Sequence, residues 1–251
     1  YAITPSLSLT YFWPNSGVNT VCKKGALIID DFSNTIRFVN TRKVIKNFLR
    51  NGCHNYLEYN LGKAYHGIVK KSVLDKIKKK TGKYVGGLTP DIYLSVAISL
   101  LADNVLIIDY PFTISGICGV SGSSDSATGK HTGSLEEAPH LKGHNDYSWS
   151  KNVPPFYSVE TIWADSAIAA LNDLGESSFI KYFNNSVLAV RCLKKYPEFE
   201  DTIINHYNSQ YNNVLFSKLP LLFARIKVIL YSISQFKLRV LRKLKRTGKA
   251  H

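Results

Sequence analysis

The sequence predicts an α/β fold followed by C-terminal helices. Short apolar runs at residues 26–29 and 105–108 have the length of buried strands. Amphipathic segments lie between these runs, at residues 39–50, 68–80 and 90–102. From residue 157 onward every apolar period is helical.

Residues 1–60 mix aromatic and polar groups, with Tyr11, Phe12, Trp13 and Pro14 in a row, before the strand at 26–29 and the helix at 39–50. The 68–80 segment reads as a basic amphipathic helix. Ile68, Val73, Leu74 and Ile77 are available for packing, and Lys70, Lys71, Lys76, Lys78, Lys79 and Lys80 form a solvated face. Gly82 ends that helix and Gly86-Gly87 turns the chain. Thr89 suits an N-cap and Pro90 the first helical position, so a helix should run from there to about residue 102. Residues 113–148 are rich in Gly, Ser, His and charge, and a loop of that length is usually either functional or disordered. Ser158 is the expected cap of a helix over 157–174, with two more helical stretches at 176–194 and 197–215.

The 251 residues are 45% apolar, enough for a globular core. The chain has no methionine and opens on Tyr1, which leads us to expect a cut fragment. Cys22, Cys53, Cys118 and Cys192 lack C-x-x-C spacing, which argues for structural thiols over a zinc site or a disulfide framework. No basic segment followed by an apolar run opens the chain as a secretory signal would. The net charge is +14, and ten Lys or Arg fall between Lys218 and Lys249 with no acidic residue after Asp201. In this tail Leu222, Ile226, Ile229, Ile233, Phe236, Val240 and Leu244 recur at spacings of three and four. Basic residues interrupt the stripe, so an interfacial helix on anionic lipid is expected and a spanning one is not. The alternative is a helix packed on protein. A nucleic-acid partner is not expected, because the charge sits on an amphipathic tail without interleaved aromatics.

Three constellations could carry chemistry. Asp91 sits in the first turn of a helix, after paired glycines that leave room for a ligand. There it either complements the helix dipole or acts as a general base. The loop from Ser121 to His131 offers amides, hydroxyls and Lys130 to phosphate oxygens, without the spacing of a P-loop. His131, His140 and His144 lie near Glu136, Glu137 and Asp146, and His131 is a candidate metal ligand, although the spacings match no zinc motif. Trp163 either stacks on a sugar or belongs to the core.

Several runs occur in order: Tyr65-His66-Gly67, Gly86-Gly87-Leu88-Thr89-Pro90-Asp91-Ile92-Tyr93 and Asp109-Tyr110-Pro111. Thr113-Ile114-Ser115-Gly116, Gly129-Lys130-His131 with Gly133, and the stretch from Tyr157 to Ala164 complete the set. Together they resemble bacterial family 2 glycosyltransferases of surface-polysaccharide assembly. The resemblance implies part of a GT-A (Rossmann-like) domain whose sugar-nucleotide-binding N-terminal half is missing. It implies Asp91 as the base of an inverting transfer, with Lys130 and His131 at the donor diphosphate. His66, Gly67, Gly86, Gly87 and Trp163 would line the acceptor cleft. The complete enzyme would take a nucleotide-sugar donor, a glycan or lipid-linked acceptor and a divalent cation, Mg or Mn. The cation's Asp-x-Asp motif is absent here. The alternative is a non-catalytic remnant or acceptor-binding module. The expected organisation is residues 1–150 as the acceptor side of the GT-A domain, 151–215 as a helical extension and 216–251 as a membrane-associating tail. The expected location is the cytoplasmic face of the bacterial plasma membrane.

Overall fold

The computed structural model describes residues 1–6, 9–14, 24–29, 31–120, 131–142 and 146–247. The chain is a mixed α/β protein with small sheets, divided into two compact units, Tyr1–Phe183 and Asn184–His251. This division differs from the expected boundaries at 150 and 215. The helix that begins after Ser158 packs inside the first unit, and the tail joins two shorter helices in the second.

A four-stranded sheet organises the first unit. Its strands are β1 (Ala2–Pro5), β4 (Ile36–Phe38), β5 (Ile68–Val69) and β6 (Val105–Ile108), in the order β4-β6-β1-β5. β1 and β6 are parallel, with Ala2 opposite Val105, while β4 and β5 are antiparallel edges. A second sheet holds β2 (Leu9–Phe12), β3 (Ala26–Ile28) and β7 (Ile114–Ile117), with β2 parallel to β7. β1 thus continues towards β2 as β6 continues towards β7. Leu9 faces Ile114, so the β6 side has taken in two extra residues between the sheets. Asp109 itself still pairs with the chain before β4, its N–H donating to Thr35 O at 2.9 Å and its carbonyl accepting from Asn34 N at 3.0 Å. β8 (Thr132–Gly133) and β9 (Tyr157–Ser158) form a short antiparallel pair.

The helices of this unit are α1 (Thr41–Arg50), α2 (Lys71–Thr81), α3 (Pro90–Leu101) and α4 (Val159–Asp173). Residues 92–99 of α3 are all buried, because α1, α2 and α4 surround it. Asn40 caps α1 through Lys43 N, Gly82 ends α2 at φ +78°, and Ser158 forms a capping box with Thr161 on α4. The 68–80 segment is not one helix. Ile68 and Val69 add to the sheet edge, and α2 begins at Lys71. The solvated lysine face is otherwise as expected.

One face of the first sheet is covered and the other is not. Ala2, Thr4, Val105 and Ile107 point into the core. On the opposite face Ile36 and Phe38 pair with Ile108 and Leu106, and Ile3 pairs with Ile68. Ile36, Phe38 and Ile68 are 60% or more exposed. Sheets with parallel pairing normally bury both faces.

In the second unit the helices are α5 (Asn185–Lys195), α6 (Glu200–Ser209) and α7 (Val214–Thr247). The expected helix over 176–194 is split, with a 3₁₀ turn at Ser177–Tyr182 before α5. Pro220 lies within α7. Cys53 and Cys192 are buried, and Cys118 is half-buried. Cys22 lies outside the described residues.

Candidate functional site

α3 leads into β6 through a short connection, and Asp91 at its start lies near His66, which bonds Thr113 beyond the carboxyl end of β6. Ligand sites of open α/β sheets gather at that end. The start of α3 is held from outside. Thr89 is the N-cap by position, but its side chain makes no capping bond, and its hydroxyl has no partner among the described residues. Ser166 of α4 does the work instead, its Oγ accepting from Leu88 N at 3.0 Å and Thr89 N at 2.9 Å. Gly87, at φ +66°, permits this approach: a Cβ there would lie 3.0 Å from that of Ser166. A Cβ on Gly86 would meet the Tyr93 ring at 2.7 Å. The paired glycines therefore serve protein packing, where the sequence had suggested space for an acceptor.

Asp91 sits in the first turn of α3, and four side chains from other segments feel its charge. The Tyr56 hydroxyl hydrogen-bonds it, and burial together with the Asp91 charge pushes that phenol up. Tyr65 is raised in the same way. His66 is lowered by burial and then by the Lys63 ammonium, with Asp91 opposing both. Burial lowers His140, again opposed by Asp91. Both imidazoles are therefore neutral at pH 7 and able to accept or donate. His66 Nδ1 lies 2.8 Å from Thr113 Oγ1, and His140 Nδ1 lies 2.9 Å from the Tyr157 hydroxyl. His131 stacks on Tyr157 with ring centroids 4.9 Å apart, and its ring is 5.5 Å from that of His140. A carboxylate at a helix start, flanked by phenols and neutral imidazoles, can accept a proton from a hydroxyl placed against it.

Lys63 adds a cation that the sequence did not single out. It is 6% exposed, and its Nζ reaches only backbone carbonyls among the described residues, Pro5 O at 3.5 Å and Leu57 O at 3.4 Å. Burial lowers its pKa to about 8. Lys63 is the only basic residue apart from histidine between Arg50 and Lys70, and that isolation was the available signal. Tyr56 had none.

The structure thus brings Asp91, His66, His131 and His140 to one place. Trp163 stands a layer behind, edge-on to Tyr56 at 5.4 Å and packed against the cluster of Leu88, Ala138, Tyr157 and Ile162. It supports the Tyr56 ring, a different task from stacking on a sugar. Gly67 is spent on backbone packing, since a Cβ there would lie 2.4 Å from Lys63 O and 2.5 Å from Ile3 O. Lys130, His144 and the loop from Ser121 lie outside the described residues. Among the described residues no group of three His, Cys, Asp or Glu could hold a metal ion. Among the described residues His131 has the His140 and Tyr157 rings beside it.

A concavity of about 210 Å³ opens at the carboxyl end of β6 and is lined by Ser6, Ser33, Thr35, Arg37, Ile107 and Asp109. Asp109 accepts from Ser33 Oγ at 2.6 Å, Ser6 Oγ at 2.5 Å and Ser33 N at 2.8 Å. These donors hold its carboxyl below the usual range.

Asp165, on α4, is buried, and it accepts from the Tyr147 hydroxyl and from Ser150 N at 2.8 Å. Burial outweighs these donors and raises its pKa to about 6. The folded pKa lies above the unfolded value, so the protonated form is favoured by folding. The contribution of Asp165 to stability is then fully present below about pH 4 and is lost as pH rises to about 6, by up to about 3 kcal/mol. Urea titrations at pH 4 and pH 7 should show this decline in the native chain and lose it in Asp165→Asn. An unchanged slope in the variant would assign the decline to another group.

No protein-family model, curated protein or solved structure matches the chain.

Proposed function

We propose that the chain is the acceptor side of an inverting GT-A glycosyltransferase of family 2, acting on a glycan or lipid-linked acceptor. The observation that carries this reading is the setting of Asp91. It is a carboxylate at a helix N-terminus, at the carboxyl end of a parallel strand pair, within the field of Tyr56, Tyr65, His66 and His140. The acceptor hydroxyl attacks the anomeric carbon of a nucleotide-sugar, and Asp91 takes its proton. The bond from that carbon to the nucleoside diphosphate breaks with inversion. Tyr56 holds the carboxylate in place, and neutral His66 and His140 orient acceptor hydroxyls. The departing diphosphate is met by cations. Lys63 is the buried candidate, in addition to Lys130 and His131, which the sequence resemblance suggests.

The exposed apolar face bearing Ile36, Phe38 and Ile68 favours an acceptor-binding module that needs a further layer to complete its sandwich. The deciding assay follows release of nucleoside diphosphate from a panel of nucleotide-sugars, with and without acceptor saccharides, by the purified protein. Acceptor-dependent release is expected. If folded protein releases none, and saccharides leave the NMR resonances of His66 and His140 unmoved, glycosyl transfer at this site is excluded.

A further inference from the structure

The long helix α7 carries two apolar stripes, and only one of them is used inside its own unit. Leu221, Ala224 and Val228 pack with Val187 and Val190 of α5. The same seam continues at Ser217, whose carbonyl accepts from the Tyr207 hydroxyl at 3.0 Å, and at Tyr231, which lies under the Arg191 guanidinium at 4.7 Å. The second stripe is Leu219, Leu222, Ile226, Ile229, Ile233 and Phe236, again at spacings of three and four. At 3.6 residues per turn it lies about 150° around the helix from the seam. Its six side chains are 47–67% exposed. This is the stripe that the sequence marks most strongly, and α5 packs on the other one.

We propose that this second stripe seats α7 in the surface of an anionic lipid bilayer, with the helix axis in the membrane plane. This goes beyond the catalytic reading and does not depend on it. Charge selects the occupant. Ten Lys or Arg fall between Lys218 and Lys249, with no acidic residue after Asp201, an excess suited to anionic headgroups. Exposed Lys218 and Arg225 border the stripe on one side, and Lys227 lies beyond Phe223 and Leu230 on the other. From these edges their stems can lie along apolar surface while the charges reach the headgroups.

The segment Leu215–Leu238, at 24 residues, is long and apolar enough to cross a membrane, contrary to the sequence expectation that the apolar runs are too short. Crossing would place Arg225 and Lys227 near the middle of the hydrocarbon and would strip the α5 seam from its partners. Lying in the interface keeps both satisfied.

The test is flotation of the full chain with vesicles of phosphatidylcholine alone, or with about 30% phosphatidylglycerol, a fraction chosen to give an anionic surface. Binding is expected to the anionic vesicles only, and to weaken as salt is raised. Ile226→Asn with Ile229→Asn removes two exposed side chains and should lower partitioning about a hundredfold at unchanged helical content. Phe236→Ser, beyond the α5 contacts, should act in the same direction. Three outcomes overturn the proposal. One is absence of binding to anionic vesicles, or binding that the variants leave intact. Another is salt-insensitive binding to neutral vesicles with the C-terminus protected from protease, as a span would give. The third is a lipid-independent dimer that the variants dissociate.

Discussion

Asp91→Asn is expected to lower glycosyl transfer by about 10²–10⁴-fold, the range of a lost general base. The change is nearly isosteric. The amide oxygen can still accept from the Tyr56 hydroxyl, and the Ser166 bonds to Leu88 N and Thr89 N are untouched, so the start of α3 should stay in place. What disappears is the charge that takes the acceptor proton. A readout independent of turnover checks the geometry. Asp91 raises the pKa of His66 and of His140, so both imidazoles should titrate at lower pH in the variant when followed by NMR. Loss of transfer with both histidines shifted supports a base in contact with the cluster. Native turnover removes Asp91 from the reaction, and unshifted histidines mean that the cluster is not assembled around it.

Gly67→Ala is expected to destabilise the first unit by about 3 kcal/mol, the upper end of ordinary overpacking. A methyl group there would meet two backbone oxygens, Lys63 O at 2.4 Å and Ile3 O at 2.5 Å. Neither can rotate away. Relief requires β5 to leave β1, where Ile3 pairs with Ile68, or the Lys63 segment to leave Thr4 Oγ1, to which Lys63 N donates at 3.0 Å. Either movement also displaces His66. Urea denaturation should register the loss, and a change below about 0.5 kcal/mol would show that the chain relaxes freely here.

Local features were legible wherever the determining partners are close in sequence. Gly82 ends α2, Pro90 opens α3, and Ser158 caps α4 because each acts on backbone groups within about one turn. The same reasoning failed for Thr89, whose capping role passes to Ser166, 77 residues along the chain. It failed again at Ile68 and Val69, where pairing with β1 overrode the helical period. The candidate site follows the same division. Asp91, His66 and His131 stood out by motif, whereas Tyr56 has no local pattern and Lys63 only its isolation, and both gain their meaning from burial beside residues far away in the chain.

The sequence by itself determined the α/β class, the start of α3 with its carboxylate, and a tail whose charge and apolar spacing suit an anionic surface. All of these depend on residue type and short-range period. Tertiary structure decided that the paired glycines serve packing, that Trp163 backs Tyr56, and that Lys63 and Asp109 sit at the ends of parallel strands. It also decided which stripe of α7 is covered and which is left for another surface. Such outcomes depend on desolvation and on contacts between distant segments, and no local period encodes those.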